Sequence, residues 1–289
     1  MKLDLECIPC YIRQALEATR MATNDKKLQE KILRKCLISA SKFDTHDIGF
    51  LTHYRIHKII KKVAPGGDPY RDEKQKFNNI CLSMTDKIKQ IIAESNIPFE
   101  TSLRIALAGN IIDLGPGINL NADIIRRVIE QALSQQLDKD KIKMLKEEIS
   151  FRKKILYIGD NAGEIVFDKF FIEHLPKNKI TYVVRGKPAM NDATMEDAKM
   201  VGMHNIVRVI TTGVDIPAAA LPLCSKDFLN EYENSDLVIA KGQGNYEALS
   251  NEKKNIFFLL KIKCPVVARD FYNEYKVGDI VVHNRRWNS

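Results

Sequence analysis

No stretch of this 289-residue sequence approaches the eighteen or so consecutive apolar residues of a membrane-spanning helix, which excludes a helical membrane protein. Met1 to Cys10 carries Asp4 and Glu6 where a secretory leader would carry positive charge and then an apolar run, so a cytoplasmic protein is expected. Six cysteines (Cys7, Cys10, Cys36, Cys81, Cys224, Cys264) are too scattered for a disulfide scaffold, and reduced thiols are the expectation. The net charge is +8, yet no segment masses the lysines. They alternate with acids in KKLQEK, DKDKIKMLKEE and NEKKN, the pattern of solvated helix faces, and no nucleic-acid partner is expected. Internal repeats and low-complexity linkers are also missing. What is present is a 45% hydrophobic composition, enough to fill the core of one large domain or two ordinary ones.

The first 150 residues follow the helical period. Ile8, Tyr11, Ile12, Ala15 and Leu16 form one stripe, with Pro9 in a first turn that tolerates it; Ile80, Cys81, Met84, Ile88, Ile91 and Ile92 form a second. Ile124, Ile125, Val128, Ile129, Ala132 and Leu133 form a third, continued after a polar break by Ile142, Leu145 and Ile149. Leu103 to Ile112 is uniformly apolar and reads as a buried helix. From Lys153 the rhythm changes to short β-rich runs between helical patterns: ILYI at 155–158, ITYVV at 180–184, IVRVI at 206–210, DLVIA at 236–240, PVVA at 265–268 and DIVV at 279–282. Such alternation predicts right-handed crossovers and a mainly parallel sheet covered by helices on both faces. The expected organisation is therefore a helical domain over 1–150 and an α/β domain over 151–289. The boundary is a change of architecture rather than a hinge.

In open parallel sheets ligands bind beyond the C-terminal strand ends, where loops and helix N-termini converge. Three of the predicted strands run into unusual polar sequences there: ILYI-GDNAGEIVFD with Asp160 and Asn161, TYVV-RGKPAMNDAT with Arg185, Lys187 and Asp192, and DLVIA-KGQGNYEAL with Lys241, Asn245 and Glu247. Any one of these loops alone is adequately explained as a helix cap or turn. Three on one edge point to a site. Asp160, Asn161 and Asp192 offer hard oxygen ligands suited to Mg²⁺ or Mn²⁺, and Arg185, Lys187 and Lys241 offer positive charge for a phosphate. That is the equipment of phosphoryl hydrolysis. The glycines of KGQGNYE fit neither the dinucleotide fingerprint nor the P-loop.

Taken together, LECIPCYIRQAL at the start, GGDPYRDEKQKFN at 66–78, AGNIIDLG at 108–115, GDNAGEIVFD, RGKPAMNDAT and KGQGNYEAL resemble the damage-control phosphatase family, in its compact prokaryotic branch with a C-x-x-C pair. The family was long catalogued as a domain of unknown function, and is also described as protein-glutamate methyltransferase-like. The resemblance implies an α-helical domain on a three-layer α/β sandwich and a metal-dependent phosphatase acting on sugar phosphates or damaged phosphometabolites. It implies a divalent metal (Mn, Ni, Co or Mg) on Asp160, Asn161 and Asp192, which would also be the catalytic residues. It further implies substrate-side positions at Asn110, Asp113, Arg185, Lys241, Asn245 and Glu247.

Two other readings compete with the phosphatase. An S-adenosylmethionine-dependent carboxyl methyltransferase would have no use for an Asp-Asn-Asp set, and GDNAGE lacks the open glycine-rich loop expected beside that cofactor. A non-catalytic binding module would use the metal for stability. Phosphatases that form an aspartyl-phosphate keep a second Asp two positions after the first, whereas Ala162 stands there, so attack by a metal-bound water is expected instead. Cys7 and Cys10, with His53 and His57, could form a tetrahedral zinc site if their helices met; a redox pair and plain helix packing are the alternatives. His46, His174, His204 and His283 have no evident partners in the sequence.

Overall fold

A computed structural model describes residues 1, 4–44, 51–63, 68–111, 121–272 and 274–285 of the chain. Three helices come first: α1 (Cys7–Ala22), α2 (Lys26–Ala40) and α3 (Leu51–Lys61). The stripe on α1 packs with α2 and α3 around Tyr11, Ala15, Ala18, Ile32, Cys36, Ile56 and Ile60, a small core of its own. The Asp25 carboxylate caps α2 by accepting from the Lys27 and Leu28 amides.

Five further helices follow: α4 (Arg71–Ser83), α5 (Thr85–Ala93), α6 (Pro98–Ile111), α7 (Ala122–Ser134) and α8 (Lys139–Phe151). The apolar stripe from Ile80 to Ile92 is divided between α4 and α5, because Met84 leaves helical geometry at φ −90°, ψ 0°. The apolar run that begins at Leu103 does form a buried helix, α6, with Leu103, Ile105, Ala106, Leu107 and Ala108 all fully buried.

The α/β portion runs β1 (Ile155–Ile158), α9 (Glu164–Glu173), β2 (Ile180–Val184), α10 (Met195–Met200), β3 (Arg208–Thr211), α11 (Lys226–Glu233), β4 (Leu237–Lys241), α12 (Gly242–Leu249), β5 (Ile256–Lys261), α13 (Pro265–Asp270) and β6 (Ile280–Asn284). The sheet order is β3-β2-β1-β4-β5-β6, parallel except for β6, which pairs antiparallel with β5. Alternate residues feed opposite faces. Ile155, Tyr157, Tyr182, Ile239, Phe257 and Leu259 join the larger core with α4–α9, while Leu156, Ile158, Val238, Ala240, Phe258 and Leu260 face α11–α13. The result is a three-layer sandwich. Its larger core draws on Phe77, Leu107 and Ile149 as much as on Phe167 and Tyr157, so packing is continuous across residue 150.

One expected strand is wrong. PVVA at 265–268 opens α13, with Pro265 in the first turn after an extended Cys264, a position where the missing N–H costs nothing. The fifth strand is instead IFFLLK at 256–261, buried along nearly its whole length as befits a strand with neighbours on both sides.

Candidate active site

Strand β1 lies between β2 and β4, so the connections after β1 and β4 leave toward opposite faces and a crevice opens at their C-terminal ends. The loops after β1 and β2 are sewn together by main-chain bonds. The Ala162 amide donates to Asn191 (2.9 Å) and the Ala193 amide to Asp160 (2.8 Å), with Asn161 and Asp192 bridged between them. This stitching makes Asp160, Asn161 and Asp192 neighbours although Asp192 follows Asn161 by 31 positions in the chain. Asp160 and Asn161 are half-buried, whereas Asp192 is buried.

Arg185, at the end of β2, is 1% exposed. Its Nε donates to the Asp192 carboxylate at 2.5 Å, and its Nη2 donates to the Gly159 carbonyl (3.2 Å) and to Asn245 Oδ1 (3.3 Å). Its Nη1 is buried and has no acceptor among the described residues. Asn245 in turn accepts from the Ala219 amide (2.9 Å) and donates to the Gly159 and Lys241 carbonyls (3.1 and 2.7 Å). All its polar capacity goes into orienting Arg185 and joining three loops. The preceding amide, that of Ala218, donates to Asp192 at 3.3 Å. Ala218 has φ +66°, a conformation an L-residue adopts at a cost, held here by these contacts.

Asn110, expected on the substrate side, is fully buried at the end of α6. Its Nδ2 donates to Asp160 (3.1 Å) and to both oxygens of Glu164 (3.3 and 3.2 Å), and its Oδ1 accepts from the Lys261 amide (2.9 Å). Asn161 Nδ2 repeats the motif, donating to Asp160 (2.9 Å) and Glu164 (3.1 Å). With its nitrogen so held, Asn161 keeps its amide oxygen turned away from the two carboxylates.

Lys241 has a different place from the one expected. The ammonium is fully buried beneath the crevice and donates to Glu164 (2.6 Å), Asp168 (2.6 Å) and the Ala106 carbonyl (2.9 Å), so its three hydrogens all have acceptors and none is left for a substrate phosphate. Burial pulls its pKa down, but the Asp168 and Glu164 charges outweigh this and hold it above the usual lysine range. Asp168 completes the group by accepting from the hydroxyls of Tyr157 (2.8 Å) and Tyr182 (2.9 Å), and burial raises its pKa to about 6 against the opposing pull of Lys241.

The remaining expected positions scatter. Asp113 lies outside the described residues, as does His46. Lys187 is exposed. Glu247, two residues past Asn245 and so on another side of α12, accepts from Gln243 (2.8 Å) and lies by the Met1 amine; burial raises its pKa to about 7. The four-residue zinc site does not form: His53 Nε2 is bonded to Gln14 Oε1 at 2.6 Å, Cys7 and Cys10 are free thiols, and no three His, Cys, Asp or Glu groups among the described residues make a metal cage. His53 and His57 do adjoin, ring centroids 4.4 Å apart, and burial lowers both pKa values, that of His53 to about 4.

Several supporting residues have no obvious sequence signal beyond belonging to GGDPYRDEKQKFN. Asn78, fully buried on α4, accepts from the Gly163 amide (2.6 Å) and donates to Asp197 (2.8 Å), tying the start of α9 to the start of α10. Gly163 stands at φ +73° against the Phe77 ring, where a Cβ would come within 2.1 Å. Lys74 pairs with both Asp68 (3.2 Å) and Asp197 (3.5 Å). Glu164 and Asp168 are one helical turn apart on α9 and face the same way.

The donor set at the crevice suits a cation: two carboxylates and an amide oxygen, all hard. Four carboxylates (Asp160, Glu164, Asp168, Asp192) lie around the crevice, opposed at contact by Arg185 and Lys241 and through space by Lys263 near Asp160 and Lys74 near Asp192. Burial, and then the Glu164 and Asp192 charges, push the Asp160 carboxyl well above its usual pKa; Asp192 is raised less, burial being opposed by Arg185.

The crevice of this mainly parallel sheet thus gathers an acid-amide-acid set beside a buried arginine. Residues 3–277 match the model of the damage-control phosphatase ARMT1-like domain, and the chain belongs to that family. It is 34% identical to the damage-control phosphatase PH1575 of Pyrococcus horikoshii over 92% of each chain, and 30% identical to a damage-control phosphatase of Archaeoglobus fulgidus over 91% of this chain and 93% of that one. An uncharacterised protein of Methanocaldococcus jannaschii is 37% identical over 91% of this chain and 90% of its own. The crystal structure of a DUF89 family protein from Pyrococcus horikoshii superposes with a TM-score of 0.87, covering 99% of this chain and all of that one at 31% identity. Among the described residues no helix is long and apolar enough to cross a membrane.

Proposed function

We propose that the chain is a divalent-cation-dependent phosphatase that hydrolyses small phosphorylated metabolites, sugar phosphates or their damaged forms, by direct attack of water on phosphorus. The observation that carries this reading is the juxtaposition of Arg185, a buried guanidinium with an unused Nη1, and the Asp160–Asn161–Asp192 set. Asp160, Asn161 and Asp192 would hold the cation, with Mn²⁺, Ni²⁺, Co²⁺ and Mg²⁺ all compatible with oxygen donors. Such a cation, when bound, supplies charge for the phosphoryl oxygens and acidifies water.

The chain's own residues do the rest. Arg185, locked through Nε and Nη2 and covered by its neighbours, places a fixed positive charge beside Asp192 at the crevice, which favours the negative charge that develops on the phosphoryl group. Asp192 fixes that guanidinium while contributing a ligand oxygen. Asp160 is hydrogen-bonded by two amides and serves the cation, so no side chain takes the phosphoryl group; water adds to phosphorus, the ester P–O bond breaks and the alcohol leaves. Lys241 supports the carboxylates from below. The family membership and the relatives named damage-control phosphatases support the reaction class.

A screen of sugar phosphates, nucleotides and cofactor phosphates with added Mn²⁺, Ni²⁺, Co²⁺ or Mg²⁺, against a chelator control, tests the reading. Release of inorganic phosphate only with metal is the expected result. Inversion of configuration at a chiral phosphoryl ester, with no trapped phosphoenzyme, distinguishes direct attack; net retention or a phosphorylated Asp160 would overturn it.

A further inference from the structure

Beneath the crevice lies a buried polar chain that the reaction itself does not touch. Tyr157 on β1 and Tyr182 on β2 are directly paired in the sheet register and their rings stack at 5.3 Å. Both hydroxyls converge on Asp168, one on each carboxylate oxygen. Asp168 holds the Lys241 ammonium, Lys241 holds Glu164, and Glu164 receives the side-chain amides of Asn110 and Asn161. Asp168, Lys241, Tyr157, Tyr182, Glu164 and Asn110 are each 0% exposed. Among the described residues Asp168 has no hydrogen bond to Asp160, Asn161 or Asp192; it reaches them only through Lys241 and Glu164.

An asparagine is a poor judge of its own orientation: its oxygen and nitrogen occupy nearly the same volume, and only one can face a cation. Whatever pins the nitrogen decides where the oxygen points. Here that is Glu164 together with Asp160, and Glu164 is immobilised by Lys241, whose position is set in turn by Asp168 and the Ala106 carbonyl. We propose that Asp168 is a positioning residue for the cation site, clamped by Tyr157 and Tyr182 so that Lys241 and Glu164 present the Asn161 amide oxygen, and with Asn110 the Asp160 carboxylate, in the geometry a divalent cation requires. The inference rests on the cation-dependent reading of the site. Removing residues that orient metal ligands without touching the metal typically lowers affinity by about 10–100-fold.

Mn²⁺ binding, followed by the free-ion electron paramagnetic resonance signal on the full chain, tests this without relying on turnover. Asp168→Asn should weaken Mn²⁺ binding by about tenfold or more. Because it also removes a negative charge, the Tyr157→Phe/Tyr182→Phe variant is measured alongside: it keeps every charge and removes only the clamp, and it should weaken binding severalfold. Asp270→Asn serves as the stability control, since Asp270 likewise accepts from a tyrosine (Tyr246, 2.7 Å) and pairs with an arginine (Arg285, 3.1 Å) but has no link to Glu164; its Mn²⁺ affinity should stay at the wild-type value. Unchanged affinity in the double phenylalanine variant overturns the proposal, whether Asp168→Asn binds weakly, binds normally or does not fold. A wild-type chain that binds no Mn²⁺ defeats the cation-dependent reading itself, which is a separate outcome.

Discussion

Asp192 serves two partners at once, and its substitution separates charge from shape. Asn at this position can still accept from Arg185 Nε but brings one negative charge fewer to a crevice that, on the proposed reading, neutralises a dication. Asp192→Asn should therefore lower metal-dependent turnover by about two orders of magnitude, roughly what loss of one electrostatic contributor costs, while the melting temperature of the metal-free protein holds; steady-state kinetics beside a thermal melt checks both. Gly242 offers a steric counterpart. It sits at φ +78°, and a Cβ there would lie 1.9 Å from Asp160 Oδ2. Gly242→Ala should abolish Mn²⁺ binding by displacing that carboxylate, as read by isothermal titration.

Glu247 gives a prediction in pH. Its carboxyl titrates near 4.5 when unfolded and at about 7 in the fold, burial being the chief cause. Below pH 4.5 it is protonated in both states and costs nothing. Between pH 4.5 and about 7 the unfolded carboxyl ionises while the folded one stays protonated, so stability falls across that window and levels off above it. Glu247→Gln, which keeps an acceptor for Gln243, should raise the melting temperature at pH 8 and converge with the wild type at pH 4. Equal melting temperatures at pH 8 would show that the carboxylate is better solvated than its position implies.

At the scale of elements, the crevice depends on how α4, α6 and α9 are held against the strand ends. Asn78 bridges α9 and α10, and Asn78→Ala leaves the buried Gly163 amide without its acceptor, at a cost of about 1–3 kcal/mol. Denaturant titration should show that loss. Lys241 joins β4 to α9 and α6. Lys241→Ala strands two buried carboxylates, so the expected effect is a destabilisation of about 3–5 kcal/mol together with weaker Mn²⁺ binding, rather than a selective rise in KM for the substrate. A variant of normal stability with only a raised KM would return Lys241 to the substrate phosphate.

For the whole molecule, a cation held by Asp160, Asn161 and Asp192, as proposed, would tie its binding to folding. A ligand held only by the native state stabilises by mass action, about 2.7 kcal/mol at a hundredfold excess over Kd. Mn²⁺ should raise the melting temperature of the wild type and a chelator should reverse it, with no such shift for Gly242→Ala. The bridging of α1–α3 to the catalytic edge, where Lys61 donates to the Pro188 carbonyl and pairs with Asp215 at 3.0 Å, means that the small helical core and the larger one should melt together in a single transition.

Local rules sufficed for much of this molecule. Short β-rich runs read β1 and β2 to the residue although both are buried on both faces, because β-branched and aromatic side chains favour an extended backbone. The same cue failed where a residue of another kind intervened: PVVA has strand-like residues but a helix-starting proline, and Met84 splits a continuous helical stripe, while IFFLLK, equally β-rich, was not among the expected strands. The Asp-Asn and Asn-Asp loops were legible as candidates because several polar loops fall at one sheet edge. Which groups would face the crevice was not. Lys241 has the charge of a phosphate ligand in the sequence, but Glu164 and Asp168, one turn apart on a helix 73 or more residues away, and the Ala106 carbonyl take all of its hydrogens in the fold. That outcome depends on β4 lying beside β1 and on α6 closing over both. Contacts between residues so distant in the chain follow from the order of strands in the sheet, and only the tertiary structure decides that order.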